Sequence, residues 1–183
     1  KTGFVNLSKE QIIWDRDNIK IKTPSGKIEA ISGILEKAGI PSLAPYVSPQ
    51  KPPEGSYRLL VGRCGYQAHG QSMNNPILSR VLGENVLWLN SGEAKKLGIK
   101  DGALVTISNA GTTGTIRAKV TEWIHPEAVF MLHGFGRTNT MQTRAYGKGL
   151  ADQAFEHGLL TNWDKAGGGV NLLECFVSVN SAG

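Results

Sequence analysis

Histidine, arginine and side-chain amides form the densest group of chemically active residues in this chain. They lie in one polar loop after a predicted strand: Gly62, Arg63, His69, Ser72, Asn74 and Asn75. Such groups donate to and accept from amide-like ligand edges, and a cation also binds phosphate. In a purely structural interpretation Gly62 makes a turn, Arg63 is a solvated charge and an asparagine caps the next helix. Residue types alone leave both interpretations open.

Two further positions are candidates for ligand binding. Asn90 follows a predicted strand, where it either contacts a ligand or simply precedes a helix N-cap. His133 follows an apolar run and opens the sequence HGFG, whose glycines allow a ligand to approach the backbone closely. A role for His133 in catalysis is not predicted. We therefore expect binding residues and no catalytic residue.

Cysteine and histidine usage predicts no metal centre in this chain. Cys64 and Cys175 are the two cysteines, whereas an iron–sulfur cluster needs about four thiolates. The four histidines are far apart, without an HExxH-type ligand pair. Cys175 alternates with apolar residues in a predicted strand and is interpreted as a small buried hydrophobe.

The composition restricts the fold and the ligand class. Glycine accounts for 23 of the 183 residues, and such a turn-rich chain disfavours a helical bundle. The formal net charge of +5 fits an anionic small molecule as well as a polynucleotide. The sequence contains no apolar run of about 18 residues that could form a membrane-spanning helix.

Six short strands are predicted, at residues 57–61, 86–89, 104–108, 116–120, 128–132 and 172–179. Within residues 116–120, apolar residues alternate with Arg117 and Lys119, as is typical of a half-buried strand. Short helices are predicted at residues 77–82 and 93–97. Many strands with few helices favour a mainly β fold closed into a barrel, because closure removes exposed strand edges.

The residues before the first strand predict a separate N-terminal region. Apolar residues Ile31, Ile34, Leu35 and Ala38 recur at helical spacing and predict an amphipathic helix over residues 28–38. Five prolines between residues 41 and 53 favour an extended linker. We predict an arm, a short helix and a linker over residues 1–56, and a barrel domain over residues 57–183.

Four segments, in order, resemble the C-terminal portion of molybdopterin oxidoreductases of the DMSO reductase superfamily. Thiosulfate and polysulfide reductase large subunits are the most similar members. The segments are TPSGKIEAIS, RLLVGRCGYQAHGQSMNNPILSR, VLWLNSGEAKKLGIKDGALVTISNAGTTGTIRAKVTEWIHPEAVFMLHGFG, and GLADQAF followed by GGGVNLLECFVSV. The resemblance implies a double-psi β-barrel that closes over molybdopterin guanine dinucleotide held by the rest of a larger polypeptide.

The resemblance also assigns candidate cofactor-binding residues. GLADQ is similar to the family sequence Gly-Ala-Ser-Asp-Asn, in which the amide contacts a pterin. Gln153 replaces that asparagine, which keeps the donor and acceptor and adds a methylene. The implied set is Gly62, Arg63, His69, Ser72, Asn74, Asn75, Asn90, His133, Asp152 and Gln153. Residues 134–169 are then expected to be shaped around the cofactor and mobile without it.

What the resemblance implies about the parent protein goes further. Family members carry an iron–sulfur cysteine motif and a Cys, Ser, Sec or Asp ligand to molybdenum, and neither Cys64 nor Cys175 is placed like these. The implied function is a cap domain of a thiosulfate or polysulfide reductase, inactive and without cofactor when isolated. The implied parent is periplasmic, is exported by a twin-arginine leader, and pairs with an iron–sulfur subunit and a membrane anchor. We expect no nucleic-acid partner and no direct membrane insertion.

Two alternatives remain open at this point. The first is a different substrate, since formate, nitrate and sulfoxide oxidoreductases share this cap. The substrate-selecting residues of the family mostly lie outside the cap, so this sequence does not determine the substrate. The second alternative is a basic β-barrel that binds nucleic acid, which is supported by the sequence pI of about 9.3 and the strand count. Salt-dependent binding to single-stranded RNA would favour that module.

Overall fold

The computed structural model describes residues 21–43, 45–156, 164, 167–170 and 174–182. The chain divides into two compact units, residues 1–47 and residues 48–183. Most of the predicted arm lies outside the described residues. So do residues 157–163 of the long polar segment and the predicted strand start at Leu172.

The described residues of the first unit contain one short helix, α1, at Gly33–Lys37. The Ser32 side chain caps it by accepting a hydrogen bond from the Leu35 N–H at 3.3 Å. The helix is shorter than the predicted span of residues 28–38. Ile31 and Ile34 of its apolar face are 51% and 72% exposed, so little packing stabilises further turns.

The second unit is a closed barrel of six strands with short helices outside it. The strands are β1 Tyr57–Gly62, β2 Leu87–Asn90, β3 Leu104–Asn109, β4 Thr112–Thr121, β5 Ala128–Leu132 and β6 Phe176–Ser181. The helices are α2 Leu78–Val81 and α3 Ser91–Lys96, with two 3₁₀ turns at His69–Gln71 and Asp152–Phe155. The strand order around the barrel is β1-β5-β2-β4-β3-β6.

Two parallel strand pairs define the topology. β1 runs parallel to β5, with Leu59 opposite Val129, and β2 runs parallel to β4, with Leu89 opposite Val120. The other neighbouring pairs are antiparallel. A closed six-stranded barrel with two such parallel pairs is a double-psi β-barrel. The predicted mainly β fold is therefore confirmed.

Alternating side chains build the barrel core. On β4, Ile116 and Ala118 are buried while Arg117 and Lys119 point to solvent, as the sequence pattern predicts. Cys175 is 5% exposed and packs in the core, which confirms its interpretation as a buried hydrophobe. The fully buried side chains that fill the centre include Leu59, Leu87, Leu89, Val105, Ile107, Val129 and Val177.

Strand direction separates the two ends of the barrel. One end, here called the rim, carries the carboxyl ends of β1, β3 and β5 and the start of β2, β4 and β6. Two segments leave the strands there: the first rim segment, residues 63–82, and the second rim segment, residues 133–156. The opposite end carries the end of β2 and helix α3. Among the described residues, no helix is long and apolar enough to cross a membrane.

Candidate functional site

The two rim segments are fastened together where they leave β1 and β5. The His133 N–H donates a hydrogen bond to the Gly62 carbonyl at 3.0 Å. Gly134, at a φ of 99°, lies so close to the first segment that a Cβ there would be 2.8 Å from the Gly70 nitrogen. Only glycine combines that φ with so close a backbone approach. Gly134, the first glycine of HGFG, therefore allows the two rim segments to lie in close contact.

Two histidines meet at this junction. The rings of His69 and His133 lie edge to face, with centroids 4.9 Å apart and an interplanar angle of 74°. Within the described part of the chain, His69 is the non-glycine residue with a positive φ, at 52°. A left-handed backbone costs a non-glycine residue about 1–2 kcal/mol. Such strain in a loop is typical of a functional position that the surrounding structure enforces.

The described residues of the second rim segment pack against the first rim segment. Met73 of the first segment packs with Phe135 and Ala145 of the second in a small apolar cluster. The Asn74 side chain accepts hydrogen bonds from the Arg144 and Ala145 N–H groups at 2.8 and 3.3 Å. Over residues 134–156 these contacts make the segment a structural element of the rim, and its mobility without cofactor stays a prediction.

The Asn85 side chain also holds the second rim segment in place, and the sequence analysis did not identify it. It is 1% exposed and lies just before β2. Its amide nitrogen donates to the carbonyls of Leu132 and Leu150, at 2.8 and 2.9 Å, and its oxygen accepts from the Leu150 N–H at 2.9 Å. One buried side chain thus satisfies three backbone groups of the second rim segment and the strand before it.

Asp152 and Glu156 form an acidic pair behind His133. Asp152 is 1% exposed, and its Oδ2 is 2.6 Å from His133 Nδ1. Its other oxygen accepts from the Gly134 N–H at 3.4 Å. Burial, together with the charge and the hydrogen bond of Asp152, raises the pKa of Glu156, an effect that His133 partly opposes. A buried carboxylate is tolerated only with such partners.

All exposed charged side chains of the two rim segments are basic. Asp152 and Glu156, the two acids of residues 63–82 and 133–156, are both buried. The basic residues are Arg63, Arg80, Arg144 and Lys148, all exposed, and Arg137, which is half-buried. Gln153, next to Asp152 on the same 3₁₀ turn, is also exposed. The two rim segments therefore present cations, an amide and two imidazoles to a ligand, while the exposed Glu84, between the first segment and β2, pairs with Arg117 at 3.7 Å. The set on the two segments suits an anionic heterocycle.

Ser72 and Asn75 serve the first rim segment itself. The Ser72 hydroxyl donates to Gln67 Oε1 at 2.6 Å and accepts from the Ala68 N–H at 2.7 Å. The Gln67 amide in turn donates to the carbonyl of Leu78, the first residue of α2, at 3.2 Å and to that of Leu82, just after the helix, at 3.0 Å. Asn75 Oδ1 accepts from the N–H of Ile77, just before that helix, at 2.9 Å and from the N–H of Leu78, its first residue, at 3.1 Å. Both side chains hold α2 against the loop.

Asn90 lies at the opposite end of the barrel from the other candidates. Its oxygen accepts from the Gly92 N–H at 2.9 Å, which caps α3, and its nitrogen donates to the Ile124 carbonyl at 2.9 Å. The residue is 8% exposed. The structure brings together at the rim the remaining predicted residues: Gly62, Arg63, His69, Ser72, Asn74, Asn75, His133, Asp152 and Gln153.

The rim also carries unsatisfied polar atoms. Among the described residues, the buried atoms without a hydrogen-bond partner are Asn109 Oδ1, Arg137 Nε and Gln142 Oε1. All three belong to this end, since Asn109 ends β3 and the other two lie in the second rim segment. A hollow of about 310 Å³ opens there between the β3–β4 hairpin and Arg137. Guanidinium and amide groups that lack partners fit a ligand rich in amide edges and phosphate.

A second hollow, of about 470 Å³, lies at the opposite end and does not suit an anionic ligand. Its lining includes Glu54, Glu93 and Glu127 with the single cation Lys96. Glu93 accepts hydrogen bonds from Tyr57 and Lys96, and the Lys96 bond lowers the pKa of Glu93.

Within the described ranges, no group of three or more histidine, cysteine or acidic residues could hold a metal ion.

The double-psi barrel and its basic, amide-bearing rim define a ligand-binding domain. The family model described as "Molydopterin dinucleotide binding domain" matches residues 57–173, and the chain belongs to that family. The match begins at the first residue of β1. The residues present at the rim fit a molybdopterin dinucleotide, because its fused amide edges and phosphates need the donors and acceptors found there.

Comparison with individual proteins agrees with this assignment. The thiosulfate reductase molybdopterin-containing subunit PhsA of Salmonella typhimurium is 29% identical over 76% of this chain, which spans 19% of that protein. Acetylene hydratase from Pelobacter acetylenicus superposes with a TM-score of 0.76 and 20% identity over 96% of this chain. The chain spans 26% of that structure, and at this identity the likeness concerns the fold.

Proposed function

We propose that this chain is the cap domain of a molybdenum oxidoreductase and binds molybdopterin guanine dinucleotide through its rim. The observation that carries the proposal is the sorting of charge: every exposed charged side chain on the two rim segments is basic, while both acids are buried. A ligand with a pyrophosphate and heterocyclic edges matches that surface. When bound, the cofactor would supply the metal and the redox chemistry, and the protein would supply binding and orientation.

Four side chains are proposed to make the principal contacts. Arg63 is an exposed cation directly after β1, and we propose that it pairs with phosphate. Gln153 presents an amide that can match a ring edge with one donor and one acceptor. His69 and His133 present imidazole edges at the junction of the two segments. Asp152 supports His133 from behind, and Asn74 and Asn75 hold the backbone around them.

The parent protein is proposed to be a reductase of an inorganic sulfur compound, thiosulfate or polysulfide. The support is the 29% identity to a thiosulfate reductase subunit. The remaining domains of the large subunit, an iron–sulfur subunit and a membrane anchor are the proposed partners, with the parent in the periplasm. Formate, nitrate or sulfoxide as substrate is the alternative within the same enzyme class.

Calorimetry of the isolated chain with GDP and GMP tests the binding role. We expect weak affinity for both, because on this proposal other domains of the parent supply part of the cofactor's surroundings, and a ligand that loses contacts still has the full entropic cost of binding. Arg63→Ala should weaken GDP binding by about threefold to tenfold and GMP binding less, whereas Gln153→Ala should weaken both alike. Lys95→Ala on α3 removes a positive charge at the opposite end and is the matched control.

Three outcomes would contradict the binding role. The first is equal weakening by Lys95→Ala and Arg63→Ala, which would indicate nonspecific attraction by net charge. The second is binding of single-stranded RNA that is tighter than GDP binding and falls steeply with salt, which would favour a nucleic-acid module instead. The third is the absence of saturable binding at millimolar nucleotide.

Assay of the full-length parent enzyme tests the substrate. Turnover of thiosulfate or polysulfide in preference to formate, nitrate and dimethyl sulfoxide is the expected result. Preference for one of the other three would replace the substrate and leave the cofactor-binding role of this domain unchanged.

A further inference from the structure

The Arg137 guanidinium lies between the two rim segments. Its Nη2 occupies the space that a Cβ on Gly70 of the first segment would take, and its Nε lies 3.1 Å from the same point. The backbone at Arg137 is fixed as well, because its carbonyl accepts from the Gly147 N–H at 2.9 Å and the residue forms a β-bridge with Tyr146. A long cationic side chain is therefore held in one place at the junction of the two segments.

This guanidinium lacks partners of its own. Its Nε is buried and has no hydrogen-bond partner. Among the described residues, no carboxylate forms an ion pair with Arg137. Asp152 of the same segment instead contacts His133 and accepts from the Gly134 N–H. Burying part of a cation without a partner is costly, and such a group calls for a ligand that completes its surroundings.

The hollow of about 310 Å³ beside Arg137 has the composition of an anion site. Its cation is Arg137, and none of the described residues that line it is acidic. Its other polar side chains carry hydroxyl groups, which together with a guanidinium are common partners of oxyanions. These residues are Thr112, Thr113 and Thr138.

We propose that Arg137 binds a tetrahedral oxyanion in this hollow and that Gly70 is the positioning residue that leaves room for its guanidinium. A planar guanidinium bonds an oxyanion through two parallel charge-assisted hydrogen bonds, which an ammonium group does not match. Two sources share this chemistry: a phosphate of a bound nucleotide, and a free inorganic oxyanion. The nucleotide as source rests on the proposed function, where Arg137 acts beside Arg63, whereas the contact between Arg137 and an oxyanion does not.

The stability of Arg137→Met distinguishes an anion-binding residue from one that only links the two segments. Methionine keeps a long unbranched side chain and removes the charge. In phosphate-free buffer we expect its denaturation midpoint to equal or exceed that of wild type, because a buried donor without a partner is removed. Inorganic phosphate at constant ionic strength should raise the midpoint of wild type more than that of the variant. Arg117→Met, at a side chain that is 54% exposed on β4, is the matched control and should respond to phosphate as wild type does.

Gly70→Ala tests the positioning role with the charge unchanged. The added Cβ must displace the Arg137 guanidinium, which is the mobile end of a long side chain, so the fold should be retained. We expect calorimetry to show phosphate binding that is weaker by about threefold to tenfold. In an Arg137→Met background Gly70→Ala should have no further effect, since both substitutions act through the same guanidinium. Gly65→Ala is the control, because its Cβ meets no atom within 4 Å.

GDP, inorganic phosphate and guanosine separate the two sources of the oxyanion. GDP that binds wild type more tightly than phosphate does, and is weakened by Arg137→Met, identifies the nucleotide. Equal binding of GDP and phosphate identifies a free oxyanion and counts against the proposed function alone. Guanosine, which carries no oxyanion, should bind wild type and Arg137→Met alike.

Three results would overturn the proposal. The first is an equal rise in midpoint for wild type and Arg137→Met in phosphate, which is a general salt effect on folding. The second is a loss of stability by Arg137→Met in phosphate-free buffer that exceeds the loss by Arg117→Met, which would show that Arg137 serves the fold. The third is the absence of saturable binding of both phosphate and GDP to wild type.

Discussion

The imidazole rings of His69 and His133 meet edge to face, 4.9 Å apart, although 64 positions separate them in the sequence. Each ring follows a strand, β1 or β5, and these strands are parallel neighbours in the barrel. Parallel neighbours deliver their following loops to the same end of a sheet. The contact is thus a consequence of the strand order, and the two loops together form the proposed binding surface.

Substitution of Gly134 by alanine should disrupt this contact. An added Cβ would lie 2.8 Å from the Gly70 nitrogen and 3.0 Å from the His69 backbone, at a φ of 99°. We expect a loss of about 2–4 kcal/mol in unfolding free energy, from backbone strain and overpacking together. Gly102→Ala is the matched control, since Gly102 also has a positive φ but no atom within 4 Å of the added Cβ. Denaturant unfolding in which both variants lose the same stability would contradict the close approach.

Asn85→Ala should destabilise the barrel through the backbone groups it leaves unpaired. The substitution leaves the half-buried Leu150 N–H without its partner and removes the donor to two carbonyls. Loss of such partners costs about 1–3 kcal/mol. Asn180→Ala, at an exposed position of β6, should cost on the order of 0.5 kcal/mol or less. Equal melting temperatures for the two variants would show that Asn85 does not hold the second rim segment.

The raised pKa of Glu156 predicts how stability changes with pH. Folded protein binds the Glu156 proton more tightly than unfolded protein does, where the ordinary value is 4.5. The contribution of this group is therefore fully present below pH 4.5 and is lost as pH rises through the raised pKa. Glu156→Gln mimics the protonated form and should gain stability relative to wild type as pH increases across that window. Glu54→Gln should show no such trend, and a parallel trend in both variants would refute the prediction.

Tyr57 predicts a separate pH effect at the opposite end of the barrel. Burial, then its hydrogen bond to Glu93, raises the pKa of Tyr57 to about 12 from the ordinary 10.0. Its contribution to stability is present below pH 10 and is lost between pH 10 and about 12. Tyr57→Phe should remove that loss, whereas Tyr46→Phe, at a side chain that is 86% exposed, should not. Thermal melts across this range would contradict the assignment if wild type and Tyr57→Phe declined equally.

Much of the barrel follows from local sequence pattern. The alternation of Ile116 and Ala118 with charged neighbours places β4 correctly, because one face of that strand meets the core and the other meets water. The pattern places β4 over residues 116–120, but the strand begins at Thr112, since the hairpin pairs it with β3 as far as Asn109. The pattern predicts helix α1 to be longer than it is, because helical spacing of apolar residues does not indicate whether they have a surface to pack against.

The site was only partly predictable. His69 and His133 could be singled out because a polar loop and a glycine-rich turn surround them. Asn85 and Glu156 could not, since the partners of Asn85 are 47 and 65 positions away and a single polar residue carries no period. The sequence pattern does not distinguish the burial of Asp152 from that of Gln153. Only the structure shows that Asp152 is buried and that Gln153 is exposed to solvent.

Mapping of nucleotide binding by amide chemical shifts tests the central claim most directly. We predict that GDP, titrated into the isotope-labelled chain, perturbs residues of the two rim segments, with Arg63, His69, His133 and Gln153 among the most affected. Asn90 and helix α3, at the other end of the barrel, should stay unchanged. Perturbations centred on Asn90 and α3, or no saturable change at millimolar GDP, would contradict the assignment of the rim as the cofactor-binding surface.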